Sequence, residues 1–194
     1  MRTFWYLPLE VVNSRYTSQL CQFWIPDAFN QLKLETDIMK IVVGEKVDSE
    51  IKVGCVLDAT GRGIFSLTQC ANFLKEIASG NVKSGDILYI QDFWTPGLEA
   101  IFYALDLYKI KLHIYSMLHA QSVDKYDFTY PMRSWKRYVE NGYDRYMNSG
   151  GIFVASDIHK KQLKDAGFKA PIFVVSLPFG LLEVQDRISQ YEVN

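Results

Sequence analysis

Residues 85–120 read GDILYIQDFWTPGLEAIFYALDLYKIKLHIYSMLHA. Residues 86–90 are strand-like and almost wholly apolar, and Gln91, Asp92, Phe93 and Trp94 stand at the strand's carboxyl end. Pro96 suits the first turn of a helix running to about Tyr108. A second strand is expected over 111–118, with His119 directly after it. Strand, helix, strand at this spacing demands a crossover, and a crossover joins parallel strands.

The same alternation extends both ways. Upstream, strands are expected at 3–9, 38–43 and 52–57. Helical patterns fall at 16–34, interrupted at Pro26, and at 66–78, closed by Gly80. Gly61, Arg62 and Gly63 read as a turn between strand and helix. Downstream, a helix is expected at 132–146 and a strand at 151–155. Ser156 caps a helix over 157–166, and a last strand spans 172–175. The expectation is an α/β domain, Rossmann-like and doubly wound, with a mainly parallel sheet and helices on both faces. The strands at 86–90, after Asp86, and 172–175 are apolar, as strands covered on both faces are. Residues 1–180 are read as one domain. Residues 181–194 are read as a tail or the start of a further domain.

Bulk properties fit. The chain has 194 residues, 48% of them hydrophobic, and a formal net charge of −1. That charge supplies no global field toward nucleic acid or an anionic membrane. No apolar stretch approaches the ~20 residues of a membrane span, and the run after Arg2 is cut short at Pro8 and Glu10, so no secretory signal is read. Cys21, Cys55 and Cys70 lack paired spacing and read as free buried thiols of a reducing, cytoplasmic compartment.

Three segments, in order, resemble the N-terminal domain of GT-B glycosyltransferases, the class that uses nucleotide sugars. They are residues 85–120 above, YDRYMNSGGIFVASDIHKKQLKDAGF (143–168) and APIFVVSLPFG (170–180). The RYTSQ stretch (15–19) is similar to phage-type glycosyltransferases, some of which act on modified DNA bases. Two departures stand beside the likeness. Glu10 to Thr17 replaces the paired glycines that often follow the family's first strand, and the chain stops where the donor-binding domain begins.

The resemblance implies the acceptor-side domain of a transferase moving a sugar from a nucleotide-sugar donor to a hydroxyl acceptor. It implies no metal, and a second glycosyltransferase domain or subunit as partner, without which the chain is inactive. The alternatives are a non-catalytic Rossmann- or flavodoxin-like binding module, or a DNA-base-directed glycosyltransferase domain with nucleic acid as acceptor.

In an open parallel sheet, ligands sit beyond the carboxyl strand ends. His119 and Asp92 are the candidate catalytic residues there. A neutral imidazole can donate to a sugar hydroxyl or to developing charge, and a carboxylate can hold an acceptor hydroxyl. The competing readings are a turn histidine bonded to backbone and a carboxylate facing a helix dipole. Arg15, Tyr16, Trp94 and Ser156 are candidate substrate-binding residues. Arg15 and Tyr16 sit where a helix start would meet phosphate, and Trp94 could stack on a sugar ring or pack in the core. Ser156 could contact a ligand or act as a cap. Arg62 between two glycines is a candidate phosphate contact or a plain turn. His113 reads as structural and His159 as solvated on a polar helical face, and three scattered histidines give no metal-ligand spacing. Arg133, Lys136, Arg137 and Arg145, interleaved with aromatics, describe either a single-stranded nucleic-acid face or a solvated helix.

Overall fold

The computed structural model describes residues 2–12, 16–32, 37–47, 59–119, 124–126 and 130–175. Six strands form one sheet: β1 (Arg2–Leu7), β2 (Asp37–Ile41), β3 (Ile87–Ile90), β4 (His113–Met117), β5 (Gly151–Val154) and β6 (Ile172–Val174). Every neighbouring pair is parallel, and the order is β2-β1-β3-β4-β5-β6. The helices are α1 (Tyr16–Gln19), α2 (Ile25–Gln31), α3 (Ala59–Ala78), α4 (Leu98–Leu107), α5 (Arg133–Tyr146) and α6 (Asp157–Asp165). This is a Rossmann-like α/β fold. The strand expected at 52–57 lies outside the described residues.

Alternation along each strand sorts the two faces. Trp5, Leu7, Leu88, Ile90, Ile114, Ile152, Val154 and Ile172 point into one continuous core. Phe73 and Ile77 of α3, Ile101 and Leu105 of α4, Val139 and Tyr143 of α5, and Leu163 of α6 close it from above. Phe4, Tyr6, Tyr89, Tyr115, Phe153 and Phe173 occupy the opposite face. Phe29 of α2 packs against Phe4 at 5.5 Å between ring centroids. Helices therefore lie on both faces, but four crossovers share one of them.

Three boundaries differ from the sequence reading, each for a local reason. Pro26 does not break the first helical segment, because a π-turn over Leu20–Trp24 carries the chain into α2. There the Ile25 N–H donates five residues back to the Leu20 carbonyl, and proline, near the start of α2, loses no bond it would need. Pro96 lies before α4 rather than in its first turn: Gly97 is the N-cap, at φ 94°. Its position requires glycine twice over, since a Cβ would also stand 3.0 Å from the Leu67 side chain. Gly61, Arg62 and Gly63 are not a turn but the first turns of α3. The two glycines look like punctuation, yet apolar spacing from Phe65 onward is enough to propagate the helix backward over them.

The last strand also differs. β6 is the sheet edge, and Phe173 and Val174 are 44% and 37% exposed, so it is not covered on both faces. Ser156 caps α6 as expected, its Oγ accepting from the His159 N–H at 3.2 Å. Cys21 and Cys70 are buried free thiols, and no helix among the described residues is long and apolar enough to cross a membrane.

Candidate functional site at the carboxyl strand ends

β1 sends its connection one way, to β2, and β3 sends its connection the other way, to β4. In a doubly wound sheet this parting of the loops marks the switch-point crevice, where ligands sit. Buried polar side chains gather around that switch point: Glu10, Thr17, Ser18, Ser66, Gln69, Gln91, Asp92 and Thr95.

Two glutamines hold the walls. Gln91, at the end of β3, accepts at Oε1 from the Tyr6 hydroxyl (2.6 Å) and the Leu9 N–H (2.9 Å). Its Nε2 donates to the Thr17 carbonyl at 3.0 Å. One side chain thus ties β3 to the loop after β1 and to α1. Gln69 of α3 donates from Nε2 to the carbonyls of Pro8 and Val42, both at 2.8 Å. It pins the loops after β1 and β2 to the helix. An amide serves well here, because it satisfies backbone groups on several segments without carrying charge.

The charged residues lie between these struts. Asp92 folds back on its own turn, its Oδ1 accepting from the Trp94 N–H at 3.0 Å, while Thr95 Oγ1 donates to the Asp92 carbonyl at 2.7 Å. Asp92 Oδ2 faces Arg62 Nη2 at 3.6 Å, with the two side chains 10% and 15% exposed. That distance is an ionic contact without a good hydrogen bond. Burial pushes the Arg62 guanidinium below its ordinary range, and Asp92, then Glu10, push it back. Nη1 of Arg62 is buried with no hydrogen-bond partner among the described residues. The same holds for Ser66 Oγ, one helical turn further along α3, and for Thr17 Oγ1.

His119 follows β4. Its Nε2 lies 3.0 Å from the Gln91 carbonyl. A carbonyl only accepts, so this nitrogen carries a proton and donates it to Gln91. Close by, His159 is buried rather than solvated, which corrects the sequence reading. Ser156 caps the helix so that its third residue turns under the sheet end instead of outward. Burial lowers the His159 pKa, and the neighbouring His119 lowers it further. His159 Nε2 is another buried nitrogen with no hydrogen-bond partner among the described residues.

Of the residues picked out in the sequence, the structure brings Asp92 and His119 to one crevice, joined through Gln91. Trp94 is 4% exposed and packs edge-on to Phe93 at 6.0 Å within the core, so it offers no open ring face. Ser156 is exposed and engaged as a cap. His113 is exposed and bonds the Ser149 carbonyl through Nδ1 at 3.0 Å. Arg15 lies outside the described residues, as do the side chains of Tyr16, Arg133, Lys136 and Arg137.

Glu10, Arg62, Ser66 and Gln91 carry much of the site and were given little or no weight in the sequence. Their only sequence signal is position, at the end of a strand or in the first turns of a helix. Two surface grooves, one lined by Asp106, Tyr138 and Arg145 and one by Val43, Thr68 and Lys75, lie elsewhere and hold no comparable set of buried polar groups. Among the described residues, no three His, Cys, Asp or Glu side chains are grouped to hold a metal.

The fold and crevice define a Rossmann-like α/β domain with a polar switch-point cleft. No protein-family model matches the sequence, and no curated protein matches it.

Proposed function

We propose that the crevice binds a polyhydroxylated ligand, and that the chain is the acceptor-side domain of a nucleotide-sugar-dependent glycosyltransferase. The observation that carries this reading is the set of unpartnered polar atoms, Thr17 Oγ1, Arg62 Nη1 and Ser66 Oγ, on the helices flanking β1. Buried polar groups without partners are rare, and a concentration of them marks a place where a ligand or ordered water completes the bonding.

Charge selects the ligand class. Two carboxylates, Glu10 and Asp92, face one guanidinium, so the crevice is net negative and repels phosphate. Carboxylates accept from sugar hydroxyls, while Arg62, Ser66 and Thr17 can donate to them. His119 stands at the same strand ends, held by the Gln91 carbonyl, and is the group proposed to act on an acceptor hydroxyl. The donor's diphosphate would be held by the second domain or subunit.

The test is a ligand-observed NMR screen of the purified chain against monosaccharides, disaccharides and free nucleotides, repeated with Asp92→Asn. Sugar binding lost in the variant supports the reading. Nucleotide binding that survives in the variant, with no sugar binding, overturns it.

One observation favours a second reading. The order β2-β1-β3-β4-β5 is that of flavodoxin-like doubly wound sheets, in which a ligand sits at the β1/β3 switch point without the domain itself being an enzyme. In this reading the same crevice is a non-catalytic binding site, and His119→Ala would leave affinity unchanged. A DNA-base acceptor would instead show as binding to single-stranded DNA that falls steeply with salt.

A further inference from the structure

Helices α4 and α5 each cross from one parallel strand to the next, so they run in the same direction, side by side on the core face of the sheet. Tyr146 sets their relative level. Its ring stacks on Phe102 at 4.0 Å, and its hydroxyl donates to Asp106 Oδ2 at 2.7 Å. On the outer side of the pair lies an open groove of about 670 Å³. Asp106 of α4 and Tyr138, Asn141, Gly142 and Arg145 of α5 line it.

The groove contains a hole that folding does not require. Ser134, Tyr138, Gly142 and Tyr146 follow one another at steps of four and form one ridge of α5. Gly142 is a gap in that ridge, since a Cβ there would meet nothing within 4 Å. Its backbone is helical and not at positive φ, so no turn demands glycine. Inside a helix, glycine costs about 1 kcal/mol relative to alanine. The folded chain alone gives no reason to keep it.

The same surface carries a knob. Tyr103 is 70% exposed, and Leu107, one turn further along α4, is 59% exposed. Tyr103 precedes Asp106 by one turn, which stands it beside the groove. Exposed Tyr138 flanks the gap on α5. Large apolar side chains gathered in one place mark an interface. A knob beside a hole is what a two-fold interface needs, because each copy supplies both halves of the contact.

Charge and level agree with that symmetry. A two-fold axis parallel to the helices lays α4 of one copy over α5 of the other. Asp106 and Arg145 come from different helices, so the rotation brings each Asp106 to Arg145 of the other copy. Residue 146 is level with 102–106, which puts Tyr103 within about one turn of the level of Gly142. Helical side chains lean toward the helix N-terminus, and that lean carries the Tyr103 ring over the gap.

We propose that the outer surface of α4 and α5 is a homodimer interface, in which Tyr103 of each copy fills the Gly142 gap of the other. This surface shares no residue with the crevice, and the proposal is independent of what the crevice binds.

Sedimentation velocity of the full chain, from low to high micromolar concentration, should show a reversible monomer–dimer equilibrium. Gly142→Gln refills the ridge with a good helix former. It should weaken the dimer about tenfold or more while raising the Tm measured in dilute solution, a combination that unfolding cannot produce. Asp106→Arg and Arg145→Asp should each give monomers, because each sets like charges against one another. Mixed together, these two variants should form a one-to-one heterodimer, since both cross-pairs are then of opposite sign. A wild-type chain that stays monomeric, a dimer that Gly142→Gln leaves intact, or charge variants that do not pair on mixing overturns the proposal. Where a charge variant has lost helix by circular dichroism, Gly142→Gln decides alone.

Discussion

Replacing Arg62 tests whether the crevice is built for the fold or for a ligand. The guanidinium contacts Asp92 at 3.6 Å, and its Nη1 is buried with no hydrogen-bond partner among the described residues. An unsatisfied buried donor costs about 1–3 kcal/mol. An ion pair without hydrogen bonds at that distance returns only about 1 kcal/mol. The wild-type arrangement is therefore neutral to unfavourable for stability. Arg62→Met alone removes the costly donor but leaves Asp92 without its counter-charge, and losing one member of a buried pair costs about 3–5 kcal/mol.

Arg62→Met combined with Asp92→Asn removes both the donor and one carboxylate. The asparagine oxygen still accepts from the Trp94 N–H, so the turn survives. The double variant should regain wild-type stability or exceed it by about 1–2 kcal/mol, a rise of roughly 2–8 °C in Tm for a chain this size. The single Arg62→Met variant should fall by a larger margin. Urea and thermal unfolding of the four proteins in the cycle give the coupling directly. The double variant should also lose whatever sugar binding the wild type has. A double variant as unstable as Arg62→Met would refute the reasoning, because the pair would then be holding the fold.

Further consequences concern stability elsewhere. Gly142 lies within α5 and a Cβ there meets nothing within 4 Å, so Gly142→Ala should stabilise by about 0.5–1 kcal/mol, whereas Gly97→Ala should destabilise, because its φ of 94° and the nearby Leu67 both exclude a side chain; chemical denaturation of the two variants checks the opposite signs. Asp86 is buried and accepts from the Thr3 N–H, the Trp5 indole and the Lys83 N–H; Asp86→Ala should cost about 3–5 kcal/mol, with Asp86→Asn between it and wild type in thermal unfolding. His159 has a folded pKa below its ordinary 6.5, chiefly through burial. The unfolded chain therefore takes up a proton first as pH falls below about 6.5, and stability declines by up to about 1.4 kcal/mol per pH unit until the folded pKa is reached. His159→Leu should flatten that part of the stability–pH curve, and an unchanged slope would mean another group causes it.

The fold was legible because its signal is repetitive. Runs such as Ile87–Ile90 and Ile152–Val154 are short, apolar and separated by helical periodicity, so both element type and parallel pairing follow from spacing. Errors came where local composition opposed tertiary packing. Two glycines hid the start of α3, and Pro26 suggested a break that a π-turn absorbs. The site was legible in place but not in membership. Strand ends pointed to Asp92 and His119, and the fold brings both to the same end of the sheet, where each meets the turn at Gln91. Arg62 was weighed only as a turn or phosphate contact, and Ser66 was not singled out, because which side of α3 faces β1 depends on Phe73 packing on Trp5, a contact no local pattern carries. His159 was misread for the same reason. Its neighbours Lys160 and Lys161 make the helix look polar all round, yet the Ser156 cap sets the rotation that buries it.

The buried polar residues of this domain fall into two kinds, and the difference bears on function. Gln69, Gln91, Asp86 and Asp144 each bond backbone groups on distant segments; Asp144, for example, accepts from the N–H groups of Lys169 and Ala170. Their burial is fully compensated, and the folded chain explains them. Ser66 and Thr17 are buried as well and Arg62 is mostly so, yet each keeps a polar atom that no described residue satisfies. Folding alone gives no reason for such groups, since apolar residues of similar volume would be at least as stable there. They gather at the switch point, the one part of a doubly wound sheet where the backbone opens a cleft without help from side chains. The two glutamine struts hold that cleft in shape before any ligand arrives, which lowers the ordering cost of binding. Two carboxylates beside one guanidinium, with spare donors around them, match a neutral polyol better than a phosphate, which is the ligand class proposed for this site.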